Sequence, residues 1–323
     1  MTIVANTYTR YGASALREQL SDVIYNISPE DTPFVSSCSR ESAKQTLFEW
    51  QTDSLATVST GNAQLEGDDI TSFDAVTATA RVGNYTQISR KLLILSGTLE
   101  AVDKAGRKSE MAYQMAKRGA ELRRDMEAIC LENIGGVAGG TTTARKTATM
   151  GAWIKTNDDV GSSGESPVYT SGVPGAARTD GTDRDYDETI LKTVAQSVWT
   201  SGGTLKTLMV GPYNKGVVSG FTGVVTRNFD MSNVSPKPTA AIASIDVYVT
   251  DFGTLKVIPN RFQQEGDAWY LDFEYLALAH LRAFRTIKLA KTGDAEKRML
   301  LVEWGLKVKQ EAALGLAADL STS

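Results

Sequence analysis

Two short alternating segments, at 46–52 and 76–82, flank a long polar stretch, and that arrangement constrains the fold more than any other feature. Thr46-Leu47-Phe48-Glu49-Trp50-Gln51-Thr52 and Val76-Thr77-Ala78-Thr79-Ala80-Arg81-Val82 both alternate in the manner of strands with one buried face. Between them lies Gly61-Asn62-Ala63-Gln64-Leu65-Glu66-Gly67-Asp68-Asp69, which is polar and acidic. The expected product is a long two-stranded arm, spanning about 46–95, with an acidic loop at its tip. A lone hairpin does not hold itself together in water. The arm therefore needs a surface outside itself.

The N-terminal segment makes a similar demand. Residues 1–12 carry no apolar periodicity, and a short helix is expected to follow. Leu16, Leu20, Val23 and Ile27 form one apolar stripe, with Ser14 as N-cap and Pro29 beyond the end. A short helix with a single stripe is marginal alone, so it too must dock. The strongest helix is expected at 108–134. Met111, Met115, Leu122, Met126 and Ile129 form its stripe, Gly119 fills a slot in it, and Gly135-Gly136 stops it. Residues 158–184 are rich in Gly, Ser, Asp and Thr and read as an exposed excursion with little core content. Another helix is expected from Asp185, where Asp185-x-x-Glu188 fits a capping box. A buried strand at 205–210 and a short helix opened by Pro212 follow. The last third reads mostly as strand, at 246–250, 255–258, 269–273 and 299–308. This mixed order predicts an α+β fold.

Little in the chain points to catalysis. Of 323 residues 41% are hydrophobic and 22% charged, and the net charge of -4 argues against a strongly basic nucleic-acid binder. No apolar run is long enough to span a membrane, and no secretory signal is visible. Cys38 and Cys130 are far apart in sequence and read as reduced, half-buried thiols. His280 is the one histidine and reads as structural. Gly161-Ser162-Ser163-Gly164-Glu165 fails the GxSxG elbow, because Glu165 stands where the last glycine belongs. No phosphate-cradling glycine loop occurs. Glu66, Asp68 and Asp69 do not have EF-hand spacing. No catalytic, cofactor-binding or metal-ligating residue is assigned. The arginines Arg118, Arg123 and Arg124 on the long helix, and Arg282 and Arg285 in a late strand, read either as a solvated face or as partners for an acidic arm tip on another copy.

Phrases spread along the chain resemble a known family. They are Met150-Gly151-Ala152-Trp153-Ile154-Lys155-Thr156-Asn157, Leu208-Met209-Val210-Gly211-Pro212 with Lys215 and Phe221 after it, and Thr250-Asp251-Phe252-Gly253. Leu289-Ala290-Lys291-Thr292-Gly293-Asp294 and Leu301-Val302-Glu303-Trp304-Gly305-Leu306, with Glu311-Ala312 beyond, complete the set. Their order and spacing are similar to the major capsid proteins of tailed bacteriophages, in particular the branch similar to the coat protein of phage SU10.

The resemblance implies an HK97-like coat fold. Its N-terminal arm would be 1–45, the E-loop hairpin 46–95 and the P-domain spine helix within 96–139. The A-domain would be 140–255, the returning P-domain strands 256–312 and a C-terminal tail 313–323. It implies self-assembly into hexamers and pentamers of an icosahedral shell around double-stranded DNA, in a virion made in the host bacterial cytoplasm. Another phage structural subunit, of a tail tube or sheath, is the alternative. The expected intersubunit contacts are Glu66, Asp68 and Asp69 with Arg118, Arg123, Arg282 and Arg285. Because the arm begins almost at Met1, a separate scaffolding protein is expected, beside a portal and a decoration protein. Between Gln45 and Arg90 there is no lysine. An isopeptide from an E-loop lysine, as in some relatives, is therefore not available.

Overall fold

A computed structural model describes residues 31–64, 66–67, 73, 75–103, 108–221 and 246–323. The helix expected at 14–27 and the acids Asp68 and Asp69 lie outside the described residues.

Helix α1 (Pro33–Ser37) opens at a proline and buries Phe34 and Val35, and β1 (Ser39–Ser42) follows. The arm is β2 (Leu47–Thr52) paired antiparallel with β3 (Ala80–Tyr85), from Leu47 opposite Tyr85 to Thr52 opposite Ala80. Its second strand lies later in the chain than the expected 76–82. Residues 76–80 alternate but stay exposed, with no surface among the described residues to bury their apolar face against, whereas Gly83 and Asn84 run into the body of the protein. Strand β4 (Gln87–Ser96) leaves the arm altogether, so the expected 46–95 unit divides at Thr86.

Helix α2 (Gly97–Ala101) is capped by the Ser96 hydroxyl, which accepts from the Leu99 N–H. Ser109 caps α3 (Glu110–Cys130) in the same way. At 21 residues α3 is about 31 Å long, shorter than the expected 108–134. Its end is a tightened turn, the Leu131 N–H reaching the Ala128 and Ile129 carbonyls, and not the glycine pair. Gly136 instead donates to the Pro174 carbonyl at 2.7 Å. The wholly buried helix α4 (Met150–Trp153) precedes β5 (Asp158–Asp159), β6 (Val168–Thr170) and β7 (Val173–Ala176). Helix α5 (Glu188–Thr200) is capped by Asp187, which accepts from the Ile190 N–H, and not by Asp185. Glu188 is then the first helical residue, so the expected capping box does not form.

Strand β8 (Thr207–Val210) is buried throughout, and α6 (Pro212–Ser219) opens at its proline as expected. Then come β9 (Val247–Thr250), β10 (Gly253–Pro259), β11 (Ala268–Leu271), β12 (Leu276–Lys288), β13 (Ala295–Val308) and β14 (Gly315–Ala317). The strands assemble into a four-stranded sheet, β1-β12-β13-β4, and a six-stranded sheet, β5-β14-β11-β8-β10-β9. The arm and β6-β7 are separate two-stranded pairs.

Two expected boundaries therefore shift. The division at 255/256 falls inside β10. Residues 313–323 are no tail, because β14 pairs with β11 and β5 inside the six-stranded sheet, and Leu314, Leu316 and Leu320 are buried. One core joins α1, α3 and α4 to the sheet residues Leu278, Val302 and Trp304. A second lies under α5 and α6. Helix α3 packs on the face of the four-stranded sheet that carries Leu300, the nearest atom to a Cβ built on Gly119.

Candidate assembly surfaces

Among the described residues the arm is anchored at its root. Asn84, fully buried, places its Nδ2 2.7 Å from the Leu306 carbonyl, 3.0 Å from that of Ala148 and 3.0 Å from Thr147 Oγ1. Its Oδ1 accepts from the backbone N–H of Ala148 and of Tyr85. Aromatic rings continue the anchor. Phe48 stacks on Trp50 at 5.8 Å, Trp50 lies 5.4 Å from Trp153, and Trp153 meets Tyr169 edge-on at 5.6 Å. Trp50 Nε1 donates to the Lys309 carbonyl at 3.2 Å. No residue other than glycine fits at 305, where a Cβ would stand 2.6 Å from the Phe48 ring.

Beyond the root the character changes. Leu55, Val58, Phe73 and Val76 are 99%, 89%, 90% and 95% exposed. Four large apolar side chains bare in one loop mark a surface built to be covered. A second such surface lies on the four-stranded sheet. One face of it packs on α3, and Lys91 on that side meets Asp125 at 2.5 Å. On the other face β4 presents Ile88, Leu92 and Ile94 at 47%, 53% and 59% exposure. Register puts Leu92 opposite Met299, Arg90 opposite Leu301 and Arg285 opposite Leu301 on β12, so these residues share that open face.

The structure divides the arginines expected to meet the arm tip. Arg282 and Arg285 belong to the open sheet face. Arg282 Nε donates to Glu303 at 2.5 Å, while Arg145 and the Thr86 hydroxyl take the other carboxylate oxygen. Arg285 is exposed. Arg118 and Arg123 sit on α3, across the sheet. Arg118 pairs with Glu121 at 2.6 Å, one turn on along the helix. Arg123 borders a groove of about 700 Å³ between α1, β1, α3 and β12, with Val35, Met126, Leu278, His280 and Phe284. Glu66 is exposed in the loop. The described residues thus give two separate basic patches, one on each side of the sheet, and not a single cluster.

Several buried charges carry no mark in the sequence pattern. Arg178 and Asp267 pair bidentately at 2.7 and 3.1 Å, and both side chains are buried. They clamp the 158–184 excursion to the start of β11, an interior strand of the six-stranded sheet, so that excursion is not the plain exposed stretch expected. Burial pushes the Asp267 carboxyl up to about 7, against the opposing pull of the Arg178 guanidinium. Glu127 on α3 accepts the N–H groups of Phe34 and Val35 at 2.8 and 2.7 Å and the Asn260 amide at 2.6 Å. Its carboxyl is also pushed up by burial, opposed by those hydrogen bonds. Cys38 and Cys130 are free and fully buried, deeper than expected, and burial raises both thiols, with Glu127 adding to it. His280 is half-buried with Nδ1 3.1 Å from the Leu278 carbonyl, and burial lowers its pKa. Of these groups the sequence singles out the histidine and the two cysteines. A signal for the others exists only in pairs of residues far apart along the chain.

Comparison with known proteins settles the family. The profile of the SU10 major capsid protein family matches residues 3–321. The chain belongs to that family. The major capsid protein of Escherichia phage Phieco32 is 26% identical over 339 residues, covering 96% of both chains. Among solved structures, the Cyanophage A-1(L) capsid asymmetric unit aligns with a TM-score of 0.67 at 13% identity, over 98% of this chain and 100% of that one. The capsid of a native GTA particle, computed with C5 symmetry, gives 0.63 at 14% identity, over 97% and 98%. Gordonia phage Cozz gives 0.59 at 13%, over 99% and 98%. The fold is the HK97-like α+β coat fold, and the chain is a major capsid protein, a structural subunit of the virion. We refer to α3 as the spine helix and to the β2–β3 arm as the E-loop. Among the described residues no helix is long and apolar enough to cross a membrane.

Proposed function

We propose that this capsid protein joins hexamers and pentamers of an icosahedral shell around double-stranded DNA by laying its E-loop on a sibling subunit. The observation that carries the reading is the bare loop between β2 and β3. It exposes Leu55, Val58, Phe73 and Val76 almost completely, and nothing in its own chain covers them among the described residues. Covering such side chains contributes about 1.5–3 kcal/mol each. The sequence from 53 to 79 contains Asp53, Glu66, Asp68, Asp69 and Asp74 and neither lysine nor arginine. The open sheet face offers Ile88, Leu92 and Ile94 beside Arg90, Arg282 and Arg285. Apolar and charged groups both complement, so a sibling's loop suits that face. Arg118 and Arg123 serve a different neighbour across the sheet. Such contacts are heterologous and close into rings by rotation. Their summed strength is multivalent.

Sibling copies are the main partners on this reading. A separate scaffolding protein, a portal and a decoration protein accompany them, and synthesis takes place in the host bacterial cytoplasm. Contact with packaged DNA is non-specific, in keeping with a net charge of -4. The test is charge reversal at the tip. Asp68→Lys with Asp69→Lys leaves thermal unfolding of the unassembled chain unchanged and abolishes closed shells in negative-stain micrographs. Normal shells from the reversed protein overturn the pairing, and tubes from the unmodified protein overturn the shell itself.

A further inference from the structure

The 158–184 excursion meets the E-loop through β7 and the turn that precedes it. Strands β6 and β7 are joined through Ser171 and Gly172, both with positive φ, at 52° and 79°. Two consecutive residues in that region make a tight two-residue connection whose twist matches its strands. The Gly172 carbonyl accepts from the Gly83 N–H of β3 at 3.1 Å. A Cβ built on Gly172 would stand 2.1 Å from the Arg81 carbonyl oxygen, against the 3.0 Å that real Cβ atoms keep. Gly83 is confined from the other side, by β2, where a Cβ would lie 2.7 Å from Glu49 Cγ and 3.1 Å from the Phe48 carbonyl oxygen. Backbone therefore rests on backbone, with no side chain between to absorb a change.

The support behind this point is rigid. The Tyr169 hydroxyl donates to the Trp153 carbonyl, and Lys155 Nζ lies 4.3 Å over the Tyr169 ring. At the other end the Gly136 N–H holds the Pro174 carbonyl, and the Arg178–Asp267 pair ties the segment to the six-stranded sheet. The E-loop side is open. A cavity of about 350 Å³ lies on one flank of the contact, lined by Thr52, Val82, Lys155 and Gln310. Another of about 390 Å³ lies on the opposite flank, lined by Leu47, Tyr85, Ala138 and Val173. A hairpin held at its root by Asn84 and Trp50, wedged here by backbone and flanked by free space on both sides, takes its angle from that wedge.

We propose that the turn at Ser171 and Gly172 is the fulcrum that fixes the launch angle of the E-loop and, through it, the curvature of the shell. The first half stands on the contacts within one chain. The second half rests on the shell reading above, and the experiment separates them.

In the unassembled full-length chain, spin labels at Val58→Cys and Lys192→Cys report the angle of the E-loop, since Cys38 and Cys130 are buried and stay unlabelled. Gly172→Ala shifts the main distance between the labels, and its particles change diameter in electron micrographs. Ser171→Asn, which tolerates positive φ, leaves both at the wild-type value. If Gly172→Ala does not fold, Tyr169→Phe serves instead. It removes only the hydroxyl brace and broadens the distance distribution. An unchanged distance in the folded Gly172→Ala chain, or an unbroadened one in Tyr169→Phe, overturns the fulcrum. A shifted distance with particles of wild-type diameter overturns the link to curvature. Failure of the unmodified protein to close shells is a failure of the shell reading and leaves the distance measurement standing.

Discussion

The E-loop and the 158–184 excursion look alike as sequence and differ completely as structure. Both are rich in Gly, Ser, Thr and Asp, and neither carries a long apolar stripe. The loop at 53–79 contains no cation, and its Leu55, Val58, Phe73 and Val76 stand bare. The excursion contains Arg178 and Arg184. The first is buried against Asp267, and the second pairs with Asp159 at 2.6 Å. Asp319, near the end of the chain, accepts from the Gly161 N–H at 2.8 Å and its carbonyl from Arg184. Composition alone sets how little apolar core a polar segment can build. Whether it is nailed down depends on a few charges whose partners lie far away in sequence.

The sharpest way to break this contrast is Arg178→Met, which leaves Asp267 buried and unpaired. Losing one partner of a buried pair costs about 3–5 kcal/mol, read by chemical denaturation of the unassembled chain. The pH dependence has a definite sign. A carboxyl raised to about 7 in the fold binds protons more tightly than in the unfolded chain. Its contribution to stability is fully present below the unfolded carboxylate range and is lost as pH rises through about 7. Without the guanidinium the carboxyl rises further. The deficit of Arg178→Met should therefore be larger at pH 8.5 than at pH 5.5. Equal deficits at the two pH values would mean that Asp267 finds another cation or water.

The same contrast explains what could be read in advance. The spine helix was legible because Met111, Met115, Leu122 and Met126 repeat at helical spacing. The late strands were legible because apolar residues alternate or run together. The arm was legible from alternation around Trp50. Three features were not. Strand β4 reads as part of the arm, because nothing local says that Gln87 starts pairing with β13. Strand β14 reads as a tail, because Gly315-Leu316-Ala317 is too short to show a period. The anchors Asn84, Glu127, Glu303 and Arg178 are polar residues buried only by partners from other parts of the chain, and polar residues read locally as surface. For the residues proposed to meet across subunits, sequence and fold contribute different parts. The acidic tip was visible as composition, but the separation of Arg118 and Arg123 from Arg282 and Arg285 by the sheet is a property of the fold.

A second test moves to the root of the E-loop. Asn84→Leu keeps the volume close but takes the amide from the carbonyls of Ala148 and Leu306 and from the Ala148 N–H in a dry interior, while Thr147 Oγ1 keeps the Leu306 N–H. A buried polar group without a partner costs about 1–3 kcal/mol. The variant should lose about 3 kcal/mol, since these groups share one site and relax together. Asn84→Asp keeps the acceptor but not the donor and should fall between. A loss below about 1 kcal/mol would show that the root is held by the Phe48, Trp50 and Trp153 rings and that the amide is secondary.

The smallest effect on the chain belongs to the loop, and there the contrast is most useful. Leu55→Ser with Phe73→Ser removes two side chains that touch almost nothing in one subunit. Exposed positions of this kind change stability by less than about 0.5 kcal/mol. The same substitutions remove much of the apolar surface that a sibling would cover, and the loss recurs at every copy around a ring. Shell yield, measured by sedimentation of the assembled fraction, should collapse while the denaturation midpoint stays fixed. Arg178→Met should behave in the opposite way. A stability loss from the loop variant would mean that these residues are covered within their own chain, which would remove the reason for the loop to seek a neighbour.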